Sequence, residues 1–323
     1  MRELERILEI KGRRFLLKVE RSRSASDYTK YEELRDEIWG EPTDTLPGER
    51  NMVCENFYHE GSALFIAVYV EDEGGTFHED KDHFIGFSYG FVGVEDKTIG
   101  FRSQDNLFFY SQYTGVRQEF QRFGLGIQMK EFQKDIVMEV FGVSKITCTY
   151  DPLTGINAYR NIHQFGMDVV DYREACYGVF GGYLNRKDIP CDRFFLSWDL
   201  KRKIQRPEYE LNSLFDSGQV ALRSRLTRVQ GQSGVIELEV VQDTFLDLDH
   251  EFLLVEIPYD FYTMLRETDV KAQQVRTIPL TWRLTSREVF YTLFRKKYEV
   301  IDFQCLRRKD RRRNFYLLRR RTG

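Results

Sequence analysis

An α+β chain of two domains is what this sequence predicts, and three observations predict it. At 323 residues the chain exceeds one small domain and fits about two of ~100–200 residues each. Hydrophobic residues make up 41% and aromatics 15%, enough apolar surface for a packed core and too much for a disordered chain. Helical and strand-like segments alternate irregularly over residues 13–200, in the order β-α-α-β-β-β-α-β-α-β-β, rather than as repeated βα units.

The elements follow in order along the chain. Residues 13–20 (Arg-Arg-Phe-Leu-Leu-Lys-Val-Glu) read as a strand. A helix over 26–39 follows, with Ser24 or Ser26 placed to cap it, and 51–60 reads as a second helical piece. Three runs rich in Phe, Tyr, Val and Ile then read as strands: Ala63–Val70, His83–Val92 and Asn106–Val116. Turns at Gly74-Gly75 and Asp96-Lys97 separate them.

A glycine turn at 124–126 opens a helix to about 141, with Met129, Phe132, Ile136 and Val140 at helical spacing. Gly142 stops it. Ser144–Tyr150 is a strand, and a helix near 155–165 is closed by Gly166. Further strands follow at 167–173 and 192–200.

The charged, proline-ended stretch Lys201–Pro207 marks a domain boundary, giving domains at 1–204 and 205–323. The second has strands near 234–242 and 251–257 and helices near 259–270 and 279–297. A last hairpin spans 298–306 and 314–320. Trp282, Val289, Phe290, Leu293 and Phe294 form a buried stripe on the long helix.

Composition narrows the function classes. The longest uncharged runs, such as Asn106–Val116, reach 11 residues, against about 20 for a membrane-spanning helix. The charged start Met1-Arg2-Glu3-Leu4-Glu5 has no signal-peptide core behind it. The five cysteines (54, 148, 176, 191 and 305) are scattered without a Cys-x-x-Cys pair. They imply reduced thiols, no zinc site and a cytoplasmic address. Net charge is −3, so neither a membrane nor a nucleic acid is the expected partner. The basic residues crowd into 306–321, whose default reading is a solvated hairpin rim.

One segment carries chemistry: Val116-Arg-Gln-Glu-Phe-Gln121-Arg122-Phe123-Gly124-Leu125-Gly126-Ile127. A strand runs into a short loop with two glycines, and a helix starts at once. The first amides of a helix have no backbone acceptor and point at whatever lies above its N-terminus. Glycine lets the backbone approach a phosphate closely. A plain tight βα turn accounts for the same glycines equally well. The Walker pattern fails because Gly126 is followed by Ile127-Gln128, and the dinucleotide pattern fails for want of a third glycine.

Gln121-x-x-Gly124-x-Gly126 resembles motif A of the GNAT acyltransferases, with Gly115-Val116 before it and an amphipathic helix after it as in that family. The segment Thr149-Tyr150-Asp151-Pro152-Leu153 with Asn157-Ala158-Tyr159-Arg160-Asn161-Ile162-His163-Gln164-Phe165-Gly166 resembles the next strand and the second cofactor helix. A narrower likeness is carried by Asp-Pro-Leu-x-x-x-Asn-Ala-Tyr-x-Asn, Tyr177-Gly178, Asp192-Arg193-Phe194 and Trp282-Arg283-Leu284-x-x-Arg287-Glu288. These are similar to a two-domain group related to amino-acid N-succinyltransferases.

The resemblance implies a mostly antiparallel central sheet flanked by helices, plus a smaller C-terminal α+β domain. It implies an acyl-CoA co-substrate (acetyl-CoA or succinyl-CoA), no metal, and a small amine as acceptor. Amides of Arg122, Phe123, Gly124, Leu125, Gly126 and Ile127, after Gln121, would bind the CoA pyrophosphate. Gly115 and Val116 would pair with the pantetheine arm. A backbone N–H near Tyr113–Val116 would meet the developing oxyanion. Asn157 and Asn161 would contact the pantetheine or thiol region.

Many members place a Tyr four residues before the glycine that ends the second helix, and a Glu on the strand before motif A. Here those places hold Ile162 and an acid-free Phe109-Tyr110-Ser111-Gln112-Tyr113-Thr114. Tyr159 is then the candidate acid and water the base.

Other candidates have two readings each. His59-Glu60 either orients an amine or is a helix-end pair. His78-Glu-Asp-Lys-Asp-His83 is a solvated turn before it is a metal site. His163 is a packed residue before it is a catalytic one. Arg283 and Arg287, one helical turn apart, either grip an acyl or amino-acid carboxylate or pair with acids such as Glu288 or Glu256. Arg193 has the same two readings. The second domain either covers the acceptor site or makes a homodimer, and the residues do not choose. A non-catalytic acyl-CoA sensor is the alternative to an enzyme.

Overall fold

Alternating polar and apolar residues open the chain with a hairpin, in a computed structural model that describes residues 4–22, 25–40, 62–178, 181–308 and 311–321. Strands β1 (Glu5–Ile10) and β2 (Arg13–Val19) pair antiparallel across a turn at Lys11–Gly12. β1 alternates half-buried and exposed residues, and its charges hide it in the sequence. A 3-10 turn and helix α1 (Thr29–Trp39) follow. The N-cap of α1 is Tyr28 rather than a serine, and Ser24 lies outside the described residues. So do the helical piece expected at 51–60, with His59, and Cys54.

The chain divides into two units, Met1–Cys148 with Asp199–Lys201, and Thr149–Trp198 with Arg202–Gly323. In the first, β3 (Ala63–Val70), β4 (Phe84–Val94) and β5 (Leu107–Val116) extend the hairpin antiparallel. β6 (Lys145–Tyr150) joins β5 in parallel, so the strand order is β1-β2-β3-β4-β5-β6. The aromatic strands supply one core, in which Phe65, Tyr69, Phe84, Phe87 and Tyr89 bury against Tyr28, Tyr31 and Leu34. Tyr31 meets Phe84 edge-on at 5.1 Å, an arrangement that adds to simple area burial.

Helix α2 (Leu125–Glu139) crosses between β5 and β6. Met129, Phe132 and Ile136 are buried as the periodicity predicts, but Val140 is 46% exposed at the C-cap and Val137 takes its place inside. The helix ends at Glu139, two residues short of the expected 141, and Val140 is its C-cap.

The second unit, expected to be the smaller and to begin near Lys201–Pro207, also takes in Thr149–Trp198. The physical reason is charge: the acids of that segment pair with arginines far along the chain within the same unit. A turn of helix α3 (Gly155–Ala158) runs into a π-helical turn (Tyr159–Gln164). Strands β7 (Asp168–Arg173) and β8 (Arg193–Asp199) then pair antiparallel.

Helix α4 (Leu211–Asp216) leads to a five-stranded sheet ordered β10-β9-β11-β13-β12. Its strands are β9 (Val220–Gly231), β10 (Gly234–Thr244), β11 (Phe252–Ile257), β12 (Tyr298–Arg308) and β13 (Arg311–Arg320). Only the β9–β11 pair is parallel. β9 has no counterpart among the expected strands, because arginines interrupt its apolar alternation.

Helix α5 (Phe261–Glu267) is capped by Asp260, which accepts from Thr263 N at 3.0 Å. Helix α6 (Gln273–Arg276) is a single turn before α7 (Ile278–Arg295), which has Pro279 in its first turn. Trp282, Val289, Phe290 and Leu293 are buried as expected, and Phe294 is half-buried. The basic C-terminal segment is an ion-paired hairpin: Arg313 forks onto Glu256 and Arg319 meets Glu251.

Burial alone would raise the Asp151 carboxyl, but Arg283 and then Arg193 more than reverse this and hold it below its ordinary value of 3.8. A depressed carboxylate contributes stability at pH values above the unfolded pKa and loses it as the pH falls through the folded one. Urea unfolding should therefore show a midpoint that drops as the pH falls below 3.8. Asp151→Asn should flatten that acid dependence. An unchanged pH slope in the variant would refute the assignment.

Candidate functional site

β5 is the strand on which the site is built. On one edge it pairs with β4 from Val94–Leu107 to Gly86–Val116. On the other it meets β6 only at Phe109–Ile146 and Tyr110–Thr147. Beyond Tyr110 the parallel ladder between β5 and β6 does not continue.

The end of that ladder coincides with a bulge. The β4–β5 register shifts between Tyr89 and Gly90, which pair with Tyr113 and Ser111 and leave Gln112 as the extra residue. Bulges bend a strand and re-aim its side chains.

Beneath the bulge lies a buried polar layer. Lys130 on α2 donates to Ser111 Oγ at 2.7 Å, and Gln133 donates to Ser88 Oγ at 2.8 Å. Ser88 also lies 3.4 Å from Thr114 Oγ1. The motifs in the sequence do not point to this layer. Lys130 and Gln133 at inward positions on the otherwise apolar buried face of α2 are the signal that could have revealed it.

Tyr113 is half-buried in β5 and meets Trp39 edge-on at 5.5 Å. Gly115 is glycine for packing: a Cβ there would stand 2.6 Å from the Trp39 ring and 2.7 Å from Ile38. Gln121 donates to the carbonyl of Val116 at 3.2 Å and so closes the end of β5. Phe123 is buried against Phe15 at 5.3 Å. Arg122 is exposed, and its carbonyl accepts from Lys11 Nζ at 2.8 Å.

Gly124 has φ +71° and is the N-cap of α2, with no side-chain cap and no atom within 4 Å of where a Cβ would stand. The left-handed conformation suits glycine, and the open space lets a ligand reach the backbone. Ile127 and Gln128 donate back to Gly124 O at 3.0 and 3.4 Å. Leu125 and Gly126 come before any intrahelical acceptor. Leu125 itself is buried, while Gly126 and Ile127 are half-buried. The positive end of this helix favours an anion, and it lies at the end of β5 where the ladder with β6 has stopped.

The remaining candidates lie in the second unit. Asn157 is engaged, donating to Thr154 Oγ1 at 3.0 Å and accepting from Arg160 at 2.8 Å. Asn161 is buried. Tyr159 is 42% exposed and stacks at 4.8 Å on His163.

Arg283 and Arg287 do not form a substrate grip. Arg283 is 0% exposed, and its two terminal nitrogens fork onto Asp151, with Nη1 at 2.8 Å from Oδ1. Asp151 also accepts from Leu153 N at 2.9 Å, and Arg193 stands 3.5 Å away. Arg287 forks onto buried Asp192 at 2.9 and 2.8 Å and reaches Glu174 at 2.9 Å. Asp192 accepts further from Tyr172 OH at 2.7 Å and Ala175 N at 3.0 Å. Their partners are therefore Asp151 and Asp192 rather than Glu288 or Glu256. Both acids open short motifs, Asp-Pro-Leu and Asp-Arg-Phe, that belong to the same likeness as the two arginines.

In the first unit, His78 pairs with Asp72 at 2.8 Å and His83 with Asp80 at 2.7 Å, a self-satisfied turn. Cys148, Cys176, Cys191 and Cys305 form no disulfide, and burial pushes Cys191 up to about 11. Among the described residues no cluster of three His, Cys, Asp or Glu could hold a metal, and no helix is long and apolar enough to cross a membrane.

No protein-family model matches the chain, and no curated protein matches it by sequence. Solved structures do. Arabidopsis thaliana NAA60 with a bisubstrate analogue is 11% identical, covering 56% of this chain and 98% of that one at a TM-score of 0.39. Arabidopsis thaliana Naa50 with a bisubstrate analogue is 12% identical, with 56% and 97% covered and a TM-score of 0.35. The spermidine/spermine N-acetyltransferase SpeG from Vibrio cholerae is 12% identical, with 59% and 99% covered and a TM-score of 0.38.

Removing one partner of a buried pair strands a charge, which costs about 3–5 kcal/mol. Arg283→Ala should lower urea-unfolding stability by that amount. Adding Asp151→Ala should cost far less than the two single losses combined. Additive single losses would show that the pair is not coupled.

Proposed function

We propose that the chain is an acyl-CoA N-acyltransferase that uses the open edge of β5 and the N-terminus of α2 to hold its co-substrate. One observation carries the reading: β5 and β6 part after two paired positions, and the same end of β5 leads into an uncapped helix N-terminus. An extended, amide-bearing arm joined to a pyrophosphate fits both features at once. That is the chemistry of pantetheine in coenzyme A.

In this reading the amides of Leu125 and Gly126, at the start of α2, take the pyrophosphate, and the arm pairs along Gly115–Val116 as a false strand. A backbone N–H in Tyr113–Val116 meets the thioester oxygen as it becomes an oxyanion. Gln121 holds the strand end and shapes the turn. Most of the acceleration comes from placing the amine beside the thioester carbonyl. The acceptor is a small primary amine, amino-acid-like, and the acyl group is acetyl or succinyl.

A second reading, a non-catalytic acyl-CoA sensor, is favoured by one observation. Neither β5 nor β6 carries an Asp, Glu or His, so no side-chain base lies on the strands of the proposed cleft. Thiol release that depends on an added amine separates the two readings.

Thermal unfolding with CoA, acetyl-CoA and succinyl-CoA tests the binding step. A ligand at 100 times its Kd stabilises by about 2.7 kcal/mol, a rise of roughly 2–4 °C in Tm for a protein of this size. Gly124→Val should weaken CoA at least about tenfold, because a branched side chain in a left-handed cap costs backbone strain and fills the ligand's approach. No shift with any of the three ligands would end the acyl-CoA reading.

A further inference from the structure

Arginines from three strands of the second unit converge on one aromatic ring. Phe215, near the end of α4, is half-buried and packs on the core of Val220, Leu254, Leu306, Phe315 and Leu317. The Arg313 guanidinium lies 4.6 Å from its centroid, that of Arg308 4.9 Å and that of Arg223, on β9, 5.7 Å. A guanidinium over an aromatic ring is attracted by the ring quadrupole and keeps its N–H edge for other partners. Beside the ring an open cavity of about 460 Å³ is lined by Phe215, Arg308, Arg311 and Arg313. All of these residues lie in the second unit.

The donors here outnumber the acceptors. Arg313 is engaged, with Nε and Nη2 forked onto buried Glu256 at 2.7 and 2.6 Å. Arg311 uses only Nη2, which reaches Ser224 Oγ, Glu239 at 3.1 Å and Glu256 at 3.5 Å. Its Nε is buried with no acceptor. Arg308 uses only Nη2, on Asp216. Arg223 has no ion-pair partner among the described residues. Its guanidinium stands 5.7 Å from the rings of both Phe215 and Phe245, and its Nε is also buried with no acceptor. Four guanidiniums thus share three carboxylates, those of Asp216, Glu239 and Glu256. A guanidinium donates and never accepts, so the ligand that completes this set is an anion rich in acceptors.

Size and lining narrow the anion. A volume near 460 Å³ falls within the ~300–1,000 Å³ of small-molecule sites, which are mostly apolar with a few placed polar groups. The Phe215 ring and the arginine stems supply the apolar wall. A carboxylate brings a single charge. A phosphate monoester brings about 1.5–2 charges at pH 7 and three strong acceptor oxygens, which suits guanidiniums that arrive from different strands.

We propose that this cavity binds a small phosphate monoester with an apolar or aromatic body. Arg308 and Arg311 hold the phosphate, Arg223 adds its unpaired charge beside them, and the body lies against Phe215. The site is independent of the N-acylation reading.

The probe is phenyl phosphate, titrated calorimetrically into the full chain at fixed ionic strength, with inorganic phosphate in a parallel titration. Phenyl phosphate should bind at least about tenfold more tightly than inorganic phosphate, because only it covers the apolar wall. Arg308→Gln should weaken it at least about tenfold, as expected for a lost charge-assisted hydrogen bond. Arg223→Gln should weaken it about fivefold through the lost charge. The fold tolerates both changes, since the Arg308 side chain is 37% exposed and Arg223 holds no carboxylate in place. Arg311 and Arg313, which hold buried Glu256, are left untouched. Arg228→Gln removes the same charge from an 80% exposed side chain elsewhere on β9 and should leave binding unchanged. In protein labelled with 15N-arginine, the Nε–H signals that vanish in Arg308→Gln and Arg223→Gln should be among those that phenyl phosphate moves.

An unchanged Kd for phenyl phosphate in Arg308→Gln overturns the proposal. So does wild-type binding no tighter than that of inorganic phosphate, and so does the absence of any response to phenyl phosphate. A single-stranded oligonucleotide that displaces phenyl phosphate and binds with a steep salt dependence assigns the face to a nucleic-acid backbone instead, and overturns it as well.

Discussion

A charge that cannot reach water must be paired where it lies, and the Asp151–Arg283 fork is where this chain meets that constraint. Both side chains are buried, so either one alone would carry a desolvation cost of several kcal/mol. The fork therefore ties the turn after β6 to the middle of α7, 132 residues away in sequence. The parallel fork of Arg287 on Asp192 ties the start of β8 to the next turn of the same helix. Together they hold Thr149–Trp198 to the C-terminal part of the second unit. They also give a physical reason for Asp-Pro-Leu, Asp-Arg-Phe and Trp-Arg-Leu-x-x-Arg to stand in one chain. Each acid needs its guanidinium.

The first unit is organised by a different constraint. A sheet satisfies backbone groups by pairing, and β5 gives up that pairing on one edge after Tyr110. Gly115 lets Trp39 close on the strand from α1, while Lys130 and Gln133 support it from α2 through Ser111 and Ser88. The strand is thus held firmly on its inner side, while its ladder with β6 stops at Tyr110. The helix N-terminus at Gly124 lies at the same end of β5 and favours a negative charge.

The same use of irregular backbone recurs in the second unit. The π turn at Tyr159–Gln164 and a bulge at Ile301 in β12 are each local departures from a ladder, and together they juxtapose His163 and the buried carboxylate of Asp302, 139 residues apart. Tyr159, singled out from its place on the second helix, stands beside that pair as a ring stacked on His163.

Much of the architecture was legible in the residues. Aromatic and β-branched runs marked β3, β4 and β5, and the apolar period marked α2 and α7, because burial on one face imposes a repeat that survives in sequence. Gly124 marked the turn into α2, because a left-handed cap at φ +71° suits glycine. What escaped was whatever depended on a distant partner. β1 and β9 carry charges that only their sheet neighbours make intelligible. Arg283 and Arg287 share a face whether they bind a substrate or a carboxylate of the chain, and spacing cannot separate the two. Local periodicity determined the elements and the glycine turn. Tertiary structure alone decided which charges meet, because a buried ion pair is chosen by distance in space and leaves no period along the chain.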